Sequence, residues 1–429
     1  MKKVFVSIGL VASAAGLSSA LGQDMQVAQP KWWDASATLR GFYDDNYTVS
    51  DNKSSSVGWE VSPSIAANVD LQQTDFGGRY TFGAYYYEDR ASSGADPYDY
   101  THEGDLWLSH AFNETLRMKV TDSLVIAQDP ELVQGGATTR VEGNNLANHA
   151  RLTIDKEWTR QFSTSTHYQN SLFIYDDSSS PLNPPGTDPS QAALLNRMEQ
   201  RIGNDFQWQF QPETMGFVGY EYTMVRYTGD AAVAPPPPTF TGPLTPYYSD
   251  SRDYNAHYLY VGAQHQFTPS VSGTGKIGGT YIDLYNNQYG DSTSFAPYAD
   301  MNLTYTYRPG CYLQGGYRQD ISSTSEVAPG SDGELTQYQE TSVFYADVTH
   351  RITPKLSGTF ISQYIYQSFK DGAYSGQPEN TIDLGVNLTY EFTRHFSAEA
   401  GYNYDQLFSN VAGREYNRNR VYLGLTASY

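Results

Sequence analysis

A single cysteine, Cys311, is the whole thiol content of the chain, so no intramolecular disulfide framework can brace it. Basic residues are scarce as well: 27 Lys and Arg stand against 47 Asp and Glu, a net charge of −20. A nucleic-acid partner needs a basic footprint and is excluded. Past residue 22 no apolar run approaches the ~18 residues of a membrane helix, so the mature chain is not an α-helical membrane protein. Amphipathic helical periodicity is lacking too. The eight histidines are scattered, with no Ser/His/Asp grouping and no metal-ligand spacing. Neither an enzyme site, a metal nor another cofactor is expected. His102-Glu103-Gly104-Asp105 reads as a lone structural cluster at a loop base.

What is abundant favours strands and turns: 37 Tyr, 37 Gly, and many Ser, Thr and Asn. "VGWEVSPSIAANVDL" puts Val57, Trp59, Val61, Pro63, Ile65, Ala67, Val69 and Leu71 on one parity. Glu60, Ser62, Ser64, Asn68 and Asp70 share the other, which is the period of a strand with one oily and one wet face. "TIDLGVNLTYEF" and "FAPYADMNLTYTY" repeat the pattern, and about eighteen such segments fill the chain, with sixteen as the alternative count. Pro63 and Pro297 each delete a ladder donor, so local bulges are expected there.

The links between segments alternate in kind. Short turns such as "QQTD", "NET", "QPET", "TPS" and "TPK" alternate with long polar loops. All short turns of an up-and-down meander therefore lie at one rim, which is the anatomy of an outer-membrane barrel. Phe76, Phe112, Phe162, Phe210, Phe267, Tyr307, Phe392, Phe396 and Tyr429 flank the short turns on the apolar parity. They form a girdle at a lipid–water boundary, and His110, His265 and His350 fall on the same parity as interfacial residues. The oily face thus meets lipid. In hydrocarbon an unpaired backbone group costs several kcal/mol, so the sheet must close on itself. The fold expected is all-β: a closed antiparallel transmembrane up-and-down β-barrel.

Met1-Lys2-Lys3 followed by "VFVSIGLVASAAGLSSA" reads as a cleaved secretory signal over residues 1–22. Residues 23–32 are then a short periplasmic segment and 33–429 the barrel. The end, "YLGLTASY", has Tyr422, Gly424, Ala427 and terminal Tyr429 spaced like the signal read by the barrel assembly machinery. Outer-membrane lipid, lipopolysaccharide and that machinery are the expected partners.

"LRGFYDDNYTVSDNKSSSVGWEVSPSIAANVDL" and "TLRMKVTDSLVIAQDPELV" resemble a β-barrel porin family of the Gram-negative outer membrane. The resemblance covers most of the mature chain as pattern: a "D-D-N" hairpin, a polar/apolar meander and a terminal aromatic. It implies an outer-membrane barrel often described as a porin, sometimes associated with exopolysaccharide functions, and it carries over no catalytic residue.

About eighteen strands enclose an aqueous channel, whereas about eight would be filled by side chains. The wet parity supplies the lining. Its early basic members are Arg40, Arg79, Arg117, Lys119, Arg151 and Arg201, interleaved with Glu60, Asp70, Asp105, Asp155 and Asp205. Its later acidic ones include Asp300, Asp347, Asp383, Glu391 and Glu399, with Lys276, Arg318 and Arg351 among them. Opposed rows of this kind would set a transverse field across the lumen, orienting dipolar solutes. Ordinary wall-stiffening salt bridges are the plain alternative. In the third long loop the run Leu124-Val125-Ile126-Ala127 leaves the alternation, which suggests a segment folded into the lumen. Asp129, Glu131, Arg140 and Glu142 would then narrow it. The expectation is passive diffusion of small hydrophilic solutes or saccharides. A saccharide exit port and a non-conducting scaffold or adhesin are the rivals.

Overall fold

The structure is a computed structural model describing residues 31–94, 96–128, 144–176, 189–229, 231–236, 246–287, 292–331 and 333–429. The proposed signal and Asp129, Glu131, Arg140 and Glu142 lie outside the described residues. Among the described residues no helix is long and apolar enough to cross a membrane.

Strict alternation drives strand after strand. The first are β1 (Trp33–Asp44), β2 (Ser56–Asp70), β3 (Thr74–Tyr87), β4 (Tyr98–Asn113), β5 (Leu116–Ala127) and β6 (Asn145–Glu157). Then come β7 (Phe162–Ile174), β8 (Arg197–Gln211) and β9 (Thr214–Tyr227). A short ribbon, β10 (Ala232–Ala234) with β11 (Tyr247–Tyr248), stands apart in the loop that follows. The wall resumes with β12 (Tyr254–Thr268), β13 (Val271–Leu284), β14 (Ser292–Arg308), β15 (Cys311–Ser322) and β16 (Tyr338–Arg351). It ends with β17 (Leu356–Lys370), β18 (Pro378–Thr393), β19 (Phe396–Ser409) and β20 (Tyr416–Ser428).

Eighteen strands form one antiparallel sheet, and β1 pairs with both β2 and β20, so the sheet is a closed barrel without edges. At the seam Tyr429 N–H donates to Ala35 O at 2.8 Å, and Lys31 Nζ lies 3.8 Å over the Trp33 ring and 3.7 Å over that of Tyr429. The apolar parity faces out: Leu106, Leu259 and Leu423 are 60%, 63% and 67% exposed, which only a lipid solvent makes tolerable.

The prolines differ from expectation. Pro297 stays in register opposite Gly279, and the β14–β15 ladder begins only at Ala299, so no donor is missed. Pro63 pairs with Ala37, while the β2–β3 ladder passes over Ser62 and Pro63 without changing register. Register shifts fall beside short turns instead, as at Ala111/Asn113, Gln209/Gln211 and Thr306/Arg308. The run Leu124–Ala127 is also ordinary strand, completing β5 between β4 and β6, because continuous apolar residues still pair when flanked on both sides. That run itself is part of the wall, and the rest of the proposed luminal segment, 129–143, lies outside the described residues. His102 to Asp105 lie inside β4 and alternate faces, so they form no cluster.

A carboxylate in β5 departs from the outward rule. Asp122 sits on the lipid parity of β5, between Val120 and Leu124, and accepts a hydrogen bond from Asn148 Nδ2 at 2.8 Å. The other outward residues of β5, Leu116, Met118, Val120, Leu124 and Ile126, are apolar and partly exposed.

Candidate functional site: the lumen

Closure decides which charges meet. Arg40 on β1 and Glu399 on β19 come from opposite ends of the sequence, yet they are near neighbours across the seam. Arg40 Nε donates to Glu399 Oε1 at 2.5 Å and Arg40 Nη1 to Glu60 Oε1 at 2.7 Å. Arg420 Nη2 reaches Glu60 Oε2 at 3.4 Å. Gly424 makes the pair possible, since a Cβ there would lie 2.8 Å from both Arg40 Cγ and Glu399 Oε1. This glycine of the C-terminal pattern thus has a local structural reason.

A larger network spans β7 to β15. Arg201 Nη1 stands 3.4 Å from Glu221 Oε1 and 3.8 Å from Asp320 Oδ2. His167 Nε2 and Glu221 Oε2 are 2.8 Å apart, and Arg318 Nη2 donates to Asp320 Oδ2 at 2.9 Å. Tyr258 Oη donates to Asp320 at 3.0 Å, Tyr260 Oη to Asp205 at 2.6 Å, and Lys276 Nζ lies 3.8 Å from Asp205. Tyr258 and Tyr260 are buried although both point into the barrel, because this network and the packed Phe217, Ile282 and Ala296 fill one side of the lumen.

The loops above that side are packed as well. A short helix, α2 (Gln191–Leu195), following α1 (Glu88–Ser93) in the chain, buries Ala193, Leu194 and Leu195 against Phe173, Val233, Tyr247 and Leu335. Arg252, fully buried, donates from Nη1 to Leu194 O at 2.6 Å and from Nη2 to Thr324 O at 2.5 Å. It ties the loop before β8 to the loop after β15, roofing the sector that the Arg201 network supports below. Ala232–Ala234 pairs antiparallel with Tyr247–Tyr248 in the same loop region.

The remaining charges have a different character. Arg79, Arg117 and Lys119 make no ion pair among the described residues, and Arg151 donates only to Gln169 Oε1, at 3.2 Å. Asp300, Asp347, Asp383 and Glu391 likewise make no ion pair there. The cations stand on β3, β5 and β6 and the anions on β14, β16 and β18. Counting around the ring, β16 is nine places from β5, the diametrically opposed strand of eighteen. Asp383 and Asp405 are direct cross-strand partners, concentrating negative charge on the acidic arc. The buttress and roof were missed in the sequence, because they depend on which strands approach across the barrel.

A closed eighteen-stranded barrel with an apolar outer wall and a charged interior defines a transmembrane barrel of the outer membrane. The chain belongs to the family described as "Putative beta-barrel porin 2", whose model matches residues 33–429. It is an outer-membrane β-barrel porin, and family and fold point to a transport channel rather than an enzyme. No curated protein matches the sequence. Among solved structures it is similar to OpdK with vanillate from Pseudomonas aeruginosa, at 10% identity, covering 92% of this chain and 99% of that one, with a TM-score of 0.46. OccAB2 from Acinetobacter baumannii is similar at 10% identity over 92% of this chain and 98% of that one, with a TM-score of 0.45. The siderophore receptor PirA from the same organism gives 9%, 94%, 81% and 0.44 for the same quantities.

Proposed function

We propose that small hydrophilic solutes diffuse passively through the part of the lumen left beside the Arg201–Asp320 network, across a transverse field. Cations on β3, β5 and β6 and anions on β14, β16 and β18 form its two sides. The observation that carries this reading is the opposition of Arg117 and Lys119 to Asp347 without neutralising ion pairs. Charges left unpaired in a wall of low dielectric focus potential into the water between them. Residues 1–22 direct Sec-type export, the barrel assembly machinery inserts the chain, and lipopolysaccharide surrounds its outer rim. The test is ion selectivity in planar bilayers. Arg79→Ala with Arg117→Ala is expected to move the reversal potential toward cation preference in a salt gradient. Unchanged conductance and selectivity would contradict the field.

A second reading, a saccharide port, is favoured by one feature. At the outer mouth a cleft of about 240 Å³ is lined by Tyr248, Asp250, Ser251, Tyr285, Asn286 and Asn287. Aromatic faces beside amides and a carboxylate suit sugar rings and hydroxyls. Sugar-dependent block of current, lost in Tyr285→Ala, distinguishes it.

A further inference from the structure

Five histidines lie on the outward face, each tied to a hydroxyl of another strand: the adjacent one for four of them, and β14, two strands away, for His350 on β16. Toward the short-turn rim, Thr74 Oγ1 is 2.8 Å from His110 Nδ1, and Thr214 Oγ1 is 2.8 Å from His265 Nδ1. Tyr307 Oη is 2.7 Å from His350 Nδ1. Toward the opposite rim, Tyr80 Oη lies 2.8 Å from His102 Nδ1, and Tyr220 Oη 2.8 Å from His257 Nδ1.

Two strand pairs repeat one another. Thr74 and Tyr80 on β3 meet His110 and His102 on β4 as Thr214 and Tyr220 on β9 meet His265 and His257 on β12. The intervals along the chain are the same in both. Phe112 and Phe267 stand edge-on to His110 and His265, with centroids at 4.5 and 4.6 Å. Eight residues along a tilted strand rise about 20 Å along the membrane normal, so each pair brackets most of the ~25 Å apolar band.

When the hydroxyl donates to Nδ1, the neutral imidazole carries its hydrogen on Nε2. Among the described residues nothing accepts from Nε2 of these five rings, and none of these atoms is a buried orphan. In that tautomer each ring presents a pre-oriented N–H at headgroup depth, where phosphoryl oxygens are the abundant acceptors. A ring serving only the girdle's packing would need neither the hydroxyl tie nor an open Nε2.

We propose that these histidines are phosphate-binding positions for lipid headgroups. His110, His265 and His350 take phospholipid phosphodiesters at the periplasmic rim. His102 and His257 take the phosphates of the glycolipid on the other side. The Thr and Tyr hydroxyls are positioning groups that fix the tautomer. The assignment stands whether or not the lumen conducts.

The test is native mass spectrometry of the full barrel released from micelles containing a defined lipid. His110→Phe with His265→Phe keeps ring bulk and removes the donors. Retention of phosphatidylglycerol is expected to fall about five-fold or more, from two lost charge-assisted hydrogen bonds. Retention of diacylglycerol, which lacks phosphate, should not change. Thr74→Val with Thr214→Val should lower phosphatidylglycerol retention part of the way, although both imidazoles remain. For the outer pair, His102→Phe with His257→Phe should lower retention of lipid A but not of its dephosphorylated form. Heat-modifiable gel mobility certifies that each variant is folded. Equal retention of phosphatidylglycerol by wild type and the His110/His265 variant would overturn the proposal. So would a parallel loss of diacylglycerol, which would make the rings merely apolar.

Discussion

Arg201 on β8 and Asp320 on β15 approach to 3.8 Å although five strand steps separate them around the wall. In a round barrel of eighteen strands that arc would span roughly 25 Å, more than two side chains can bridge. The wall is therefore drawn inward here, and the passage lies off-centre. Asp320→Ala leaves Arg201 and Arg318 without their shared carboxylate in a buried setting. A loss of about 2–4 kcal/mol is expected in urea unfolding, together with larger single-channel conductance as the buttress loosens. Unchanged conductance in a folded variant would show that the network does not limit flow.

Gly219 is the void into which the same network leans. A Cβ there would sit 2.1 Å from Tyr260 Cε2 and 2.3 Å from Asp205 Oδ1. Gly219→Val is expected to displace Tyr260, break its 2.6 Å hydrogen bond to Asp205 and cost about 1–3 kcal/mol of unfolding free energy. Denaturant unfolding followed by tryptophan fluorescence measures it.

The roof carries a pH dependence. Asp253, at the outer mouth before β12, accepts from Tyr227 N–H at 2.7 Å and faces Arg226 Nε at 3.9 Å. Burial nevertheless pushes its carboxyl up to about 6. Because the folded value lies above the unfolded one, its stabilising contribution is complete below the ordinary carboxylate range. That contribution is lost as pH rises through about 6. The loop sector should be steadier at about pH 5 than at about pH 7.5, seen as quieter open-channel current. Asp253→Asn should flatten this difference.

Asp122 places a carboxyl on the lipid side, where its one hydrogen-bond donor among the described residues is Asn148. Replacing both, by Asp122→Leu with Asn148→Leu, is expected to stabilise the barrel in vesicles by up to about 2 kcal/mol, since acids cost less than bases at such depth. Equilibrium unfolding from vesicles is the measurement. A loss of stability would indicate that the pair meets something other than acyl chains.

Strands, faces and rims were legible because side-chain direction in a strand depends only on parity, and lipid punishes every error of parity. The opposition of Arg117 to Asp347 followed from counting strands. The union of Arg40 with Glu399 did not, because it exists only once the ends of the chain close on each other. Asp205, Tyr258, Tyr260 and Asp320 lay on the inward parity like any lining residue. Their convergence depends on the inward draw of the wall, a property of side-chain packing that no strand pattern records. Leu124–Ala127 misled for the opposite reason: a break in alternation can be ordinary strand when both neighbours pair with it.

The most direct test of the account is single-channel recording of the purified wild-type barrel in a planar bilayer. Discrete current steps of reproducible size, linear with voltage, are expected from water-filled passage beside the Arg201–Asp320 bridge. A barrel that inserts, retains its heat-modifiable fold and passes no current would contradict it.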